Sequence, residues 1–284
     1  MAISATLGTE HTVELPAGPL VYREYGDGPP VVFVHGLLVN GDLWRAVVPA
    51  VAEAGYRCLT PDWPLGSHRH PLRPGTDLSP PGVARLVADF LAALDLADTT
   101  LVANDTGGAI TQLLMTRHPE RLGRVVLTSC DTFNEFFPWP FSLLPKASRL
   151  PGFGWLMVQS MRSKRMQRSP LGFGLVVHQP VPPRIVESYL APSRHDRGVR
   201  RDVVRFVRGV HRRYTLQAAE QLPGFDRPVL LVWAADERLF SVANARRLAE
   251  LLPDARLELV EGSRTFIPED QPARLADLVV KFLG

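Results

Sequence analysis

Residues 101–111 read "LVANDTGGAIT". An apolar run ends at Asn104-Asp105-Thr106, and two glycines open a helical pattern, so the periodicity predicts a strand running into a helix with Asp105 at the turn. Ala103 and Gly107, two residues before and two after the apex, are small. A sharp strand-to-helix turn needs such flanks, because a larger side chain would collide with neighbouring backbone. In an open parallel sheet reactive groups gather at the carboxyl ends of strands. The N–H groups at the start of the following helix favour an ionised carboxylate there.

The surrounding pattern predicts that kind of sheet. Before residue 132, "HTVEL", "LVYREYG", "PPVVFVHG", "YRCLTPD", "TTLVAND" and "RVVLTSCD" read as strands. Helical patterns separate the later ones: "DLWRAVVPAVAEAG", "SPPGVARLVADFLAALDL" and "GGAITQLLMTRHPE". Alternation fails after Asp131 for about ninety residues, where Pro, Gly and aromatics are frequent, and resumes at "RPVLLVWAADE" and "ARLELVEG". The expected architecture is α/β: a mostly parallel eight-stranded sheet with helices on both faces. A core formed by residues 1–131 and 222–284 would carry a helical insertion, 132–221, after strand 6.

Bulk properties narrow the function classes. The 284 residues are 45% hydrophobic and 21% charged with a net charge of +3, as expected of a globular domain that buries a large core. The start, "MAISATLGTEHTVEL", lacks the basic and apolar regions of a signal peptide, and no run approaches the roughly 20 apolar residues of a membrane span. A cytoplasmic location follows as the expectation, with no membrane partner. Cys58 and Cys130 end apolar runs and imply no pairing, and no metal-ligand spacing or cofactor motif occurs. Between Lys146 and Arg213 there are 15 Lys/Arg against 3 Asp/Glu, a basic block on an otherwise acidic body.

These landmarks resemble the α/β-hydrolase superfamily, and within it the Asp-nucleophile branch of haloalkane dehalogenases and epoxide hydrolases. "VFVHGLL" matches the oxyanion-hole loop, "VANDTGGA" the nucleophile elbow, "VLLVWAADERLF" the acid loop and "FIPEDQPARL" the terminal segment. The resemblance implies that Asp105 attacks an electrophilic carbon to form an alkyl-enzyme ester. The backbone N–H groups of Leu37 and Thr106 would border the attack site. Asp236 would be the acid that orients a histidine, with Asp131 as a possible substitute. The insertion would be a cap over the site, and His35 in the oxyanion loop would be scaffold at the edge of the substrate pocket.

The chain departs from that family at the base. Members commonly carry a histidine where Thr265 stands in "GSRTFIPED". An alkyl-enzyme ester turns over when water is activated, and general-base help is worth about 10² to 10⁴ in rate. Three readings follow: another histidine enters, the enzyme stops at a covalent adduct, or Asp105 acts as an acid/base. His68, with His70 in "PLGSHRHP", is the best substitute base. Leu37 and Thr106 also replace the halide-binding Asn or Trp of many dehalogenases, and the HGxP of epoxide hydrolases is absent.

For the substrate the resemblance points to a small, largely apolar molecule. Phe137 and Trp139 stand where the cap begins, and Tyr189 and Tyr214 are the cap tyrosines that could protonate an opening epoxide. Arg194, Arg197, Arg201, Arg205, Arg208 and Arg212 recur at helical spacing, which would line one face with guanidinium groups. That face could be solvated, or could capture an anionic substrate or carrier protein. No nucleic-acid motif accompanies it. The alternatives to a displacement enzyme are a lyase, isomerase or cyclase that lost its water-activating base, and a catalytically silent binding protein.

Overall fold

The computed structural model describes residues 1–284. Eight strands form one sheet: β1 (Thr9–Leu15), β2 (Gly18–Tyr25), β3 (Pro30–Val34), β4 (Arg57–Pro61), β5 (Thr99–Asp105), β6 (Leu122–Cys130), β7 (Val229–Ala234) and β8 (Ala255–Val260). Their order is β1-β2-β4-β3-β5-β6-β7-β8. Both β1 and β4 pair antiparallel with β2, and every other pairing is parallel, so only β2 runs against the rest. Along β5 and β7 nearly every residue is buried, without alternation. That is the signature of strands covered by helices on both faces.

The core helices are α1 (Val48–Glu53), α2 (Pro80–Ala93) and α3 (Thr106–Arg117). "DLWRAVVPAVAEAG", expected as one helix, divides into a 3₁₀ turn over Gly41–Trp44 and the short α1. Pro49 is the physical reason: it has no N–H to donate to an earlier turn, so it stands near a helix start. Ser79 caps α2 by accepting from the Gly82 N–H.

Between β6 and β7 the chain holds only helices and loops: α4 (Leu144–Ala147), α5 (Phe153–Ser160), α6 (Lys164–Gln167), α7 (Pro183–His195), α8 (Arg197–Gly209) and α9 (Arg213–Gln221). After β7 come α10 (Val242–Leu251), α11 (Ile267–Asp270) and α12 (Pro272–Leu283). Gly154 and Val158, one turn apart on α5, are buried, and Gly154 lies against Val204 and Arg200 of α8.

The arginines of this segment do not form the free face expected from their spacing. Arg201 pairs with Asp202 and donates to the Leu72 carbonyl, Arg205 donates to Thr76 O, Arg208 to Ser148 O, and Arg194 pairs with Glu187. Three of the six guanidinium groups thus spend donors tying α8 to its surroundings, and a fourth, Arg194, is paired within α7. Planar guanidinium groups serve well as such multi-donor ties.

Candidate active site

Asp105 ends β5 and precedes α3 with φ 56° and ψ −131°, a left-handed conformation costly for a residue with a side chain. The packing around it over-determines this geometry. A Cβ on Gly36 would lie 2.0 Å from Asp105 Oδ2, and one on Gly107 would lie 2.3 Å from the Val34 carbonyl oxygen. Only glycines let the β3 loop and α3 close on the turn. The Leu37 N–H donates to Asp105 Oδ2 at 3.3 Å. Burial raises the Asp105 carboxyl to about 7; the N–H groups of Thr106 and Leu37 oppose that shift, and the charge of Glu237 adds to it.

The carboxylate faces a cavity of 490 Å³ lined by 22 residues, of which 16 are hydrophobic. Asp105 is the only ionisable group in that lining, which includes Leu37, Thr106, Phe137, Phe173 and Phe266. Most of the wall comes from the helical segment after β6. The space is large enough for a small organic molecule, and its apolar wall selects one with little charge.

Thr265 is fully buried beside this region. Its Oγ1 donates to Glu237 Oε1 at 2.8 Å, and its carbonyl oxygen accepts from Asn104 Nδ2 at 2.7 Å. The residue before the elbow apex therefore anchors the loop that carries Thr265. Glu237 Oε1 also accepts from the N–H groups of Arg238 and Leu239, while its Oε2 has no partner. Burial, more than any neighbour, raises this carboxyl. Asp131 is buried with neither oxygen hydrogen-bonded, and burial together with the charge of Asp105 pushes it well above the carboxylate range. It is held neutral.

Several expected site residues lie elsewhere. Asp236 is turned outward, with its side chain 53% exposed and 3.3 Å from His178, so its neighbour Glu237 takes the inward position. One residue decides this, because the turn after β7 sends successive side chains to opposite sides. His68 is buried 3.5 Å from Asp202 of α8 and does not reach the cavity. It is therefore not placed as the missing base. His35 donates from Nδ1 to Gly36 O and accepts the Trp63 N–H at Nε2, each at 2.9 Å. Its burial lowers its pKa to about 3, so it is a neutral scaffold ring.

Of the aromatics, Phe137 lines the cavity and Trp139 is 77% exposed. Tyr189 is buried with its OH on Glu269, which also pairs with Arg45 at 2.5 Å. Tyr214 accepts from Arg213 at the surface. Neither tyrosine is in the lining, so neither is placed to protonate a substrate. No group of three or more His, Cys, Asp or Glu side chains is placed to hold a metal ion.

Residues 29–169 match the family model described as alpha/beta hydrolase fold. Non-heme chloroperoxidase CPO-A1 of Kitasatospora aureofaciens is 30% identical over 279 residues, 92% of this chain and 94% of that protein. The chain belongs to the α/β-hydrolase fold family. A haloalkane dehalogenase of Mesorhizobium japonicum is 33% identical over 162 residues, covering 54% of this chain and 51% of its own. The haloalkane dehalogenase DatA from Agrobacterium tumefaciens C58 superposes with a TM-score of 0.81 at 23% identity, covering 99% of both chains. The protein is thus an enzyme of the α/β-hydrolase family.

Proposed function

We propose that the protein is a displacement enzyme whose Asp105 carboxylate attacks a saturated, electrophilic carbon of a small, largely apolar substrate. The observation that carries this reading is the placement of Asp105: the only ionisable group in a 490 Å³ apolar cavity, held on a strained turn with the Leu37 N–H on its outer oxygen. Attack forms a bond from carboxylate oxygen to carbon. It breaks the bond to a halide, which leaves with the electron pair, or one C–O bond of an epoxide, whose oxygen keeps the electron pair and takes a proton from water at the cavity mouth. The N–H groups of Leu37 and Thr106 border the reacting carboxylate and steady charge there. Residues 132–221 act as the cap that excludes water from the cavity.

The Thr265–Glu237 pair stands in place of a histidine and its acid. A threonine hydroxyl is too weakly basic to deprotonate water at neutral pH, so the alkyl-enzyme ester forms faster than it is hydrolysed. Intact-mass spectrometry after incubation with terminal epoxides and haloalkanes tests this. A stable adduct mapped to Asp105 is expected, and no adduct with any such electrophile overturns it.

A second reading is favoured by the carboxyl value of about 7 at Asp105. A group near neutrality in a dry pocket can move a proton in either direction, which suits a lyase, isomerase or cyclase. Turnover of a substrate with no adduct at any time point, lost in Asp105→Asn, would favour that chemistry over displacement.

A further inference from the structure

The helical segment after β6 presents an apolar surface that the site chemistry does not explain. Trp139, Leu143, Leu150, Trp155, Leu156 and Leu171 are 77%, 63%, 66%, 57%, 62% and 61% exposed. They account for six of the nine exposed large hydrophobics of the whole chain, all within 33 residues. Leu156 and Leu171 are at once exposed and part of the cavity lining, so the cavity opens within this surface. On α5, the buried Gly154 faces α8, while Trp155 and Leu156 of the same turn are exposed.

The charge of the same segment is one-sided. From Phe136 to Val186 there is no Asp or Glu, while Lys146, Arg149, Arg162, Lys164, Arg165 and Arg168 are all exposed. None of these six forms an ion pair, and with no carboxylate in the segment none has a partner nearby in sequence, whereas Arg69, Arg85 and Arg121 elsewhere are paired with carboxylates. A neighbouring cleft of 330 Å³ is lined by Lys164, Arg168 and Arg264 without any carboxylate, and Phe173 lies between it and the main cavity.

We infer that this face docks the protein onto an anionic lipid bilayer, with the cavity mouth turned toward the membrane. Tryptophan and leucine side chains flanked by unpaired Lys and Arg are what an interfacial surface requires: the apolar groups enter the boundary between headgroups and chains, and the cations meet the lipid phosphates. No helix is long and apolar enough to cross a membrane, so the attachment is peripheral. The expectation of no membrane partner, drawn from the absence of a spanning segment, does not extend to such a face. A second copy of the chain is a poor occupant, because two surfaces carrying only positive charge repel each other. A lipid surface also adapts to a mouth framed by several short helices, and it stores apolar molecules of the kind the cavity accepts. The inference does not depend on what Asp105 does to them.

Co-sedimentation with vesicles tests it, using phosphatidylcholine alone and phosphatidylcholine mixed with phosphatidylglycerol. Binding is expected to the mixed vesicles, to fall when salt is raised, and to be accompanied by a blue shift of Trp fluorescence. The triple variant Trp139→Ser/Leu143→Ser/Trp155→Ser replaces no cavity-lining residue. It should keep its melting temperature and any labelling of Asp105 while its vesicle partition falls by about tenfold or more. A folded triple variant that binds as well as the parent overturns the proposal, as does failure of the parent to bind mixed vesicles. Saturable binding of an acidic carrier protein without vesicle binding would assign the face to a protein instead. A dimer in sedimentation velocity that the triple variant dissolves would assign it to a second copy.

Discussion

Thr265 Oγ1 and Glu237 Oε1 are 2.8 Å apart, a hydrogen bond that joins the loop after β8 to the loop after β7. In the proposed reading Thr265 occupies the histidine's position, and Glu237, which would orient an imidazole there, accepts the threonine hydroxyl instead. The carboxylate of Glu237 has its inward partner satisfied by a hydroxyl and keeps Oε2 free. Thr265→His should therefore meet an acid already in place. Steady-state release of halide or diol is expected to rise by about 10² or more in this variant, the usual worth of general-base help. Adding Glu237→Gln should remove most of that gain, while Asp236→Asn should not, because Asp236 points to solvent. Equal losses from both would return the orienting role to Asp236.

The Asp105 carboxyl at about 7 fixes a pH dependence for labelling. The nucleophile is the ionised form, so the pseudo-first-order rate of adduct formation should climb about tenfold per pH unit below 7 and level off above it. A rate flat between pH 5 and 9 would place the carboxyl in its ordinary range.

The same shift acts on stability with a definite sign. The native carboxyl holds its proton to about 7 and the unfolded one releases it near 3.8, so between those values the native state binds more protons and stability falls as pH rises. Asp105→Asn removes this penalty. Urea denaturation should find the variant close to wild type at pH 4 and more stable at pH 8, by at most about 4 kcal/mol at about 1.4 kcal/mol per unit. Labelling of Asp105 should vanish in the variant at every pH.

Asn104 tests how the elbow is tied to the loop of Thr265. Its Nδ2 reaches Thr265 O at 2.7 Å and Thr128 Oγ1 at 2.8 Å, all within the buried interior. Asn104→Ala leaves those acceptors unpaired, so a loss of about 1–3 kcal/mol in stability is expected. A drop in labelling rate at temperatures where the variant is fully folded should accompany it. Unchanged stability would show that the loop is fixed by its own packing.

His68→Gln separates a structural histidine from a catalytic one. His68 sits against Asp202, which also accepts from the Leu72 N–H and from Arg201. Labelling and turnover should stay within about twofold, while stability drops by about 1 kcal/mol with the lost polar contact. A hundredfold loss of turnover would restore His68 as the base.

The alternation of short β-branched runs with amphipathic helices determined the parallel sheet, because strand and helix periods are set by local backbone geometry and are written directly in the spacing of apolar residues. Asp105 at the elbow was legible for the same reason: a carboxylate between small residues at a strand-to-helix junction has few other local explanations. Tertiary structure alone decided which carboxylate faces inward. Asp236 and Glu237 are adjacent, and the turn after β7 directs the second inward onto the Thr265 hydroxyl and the first outward beside His178, partners 28 and 58 residues away. It also decided what the arginines do. Their helical spacing suggested an open cationic stripe, yet carbonyls of Leu72, Thr76 and Ser148, 60 to 129 residues away in sequence, consume the donors of Arg201, Arg205 and Arg208. Contacts at that separation depend on where the whole chain goes, which no window of sequence contains.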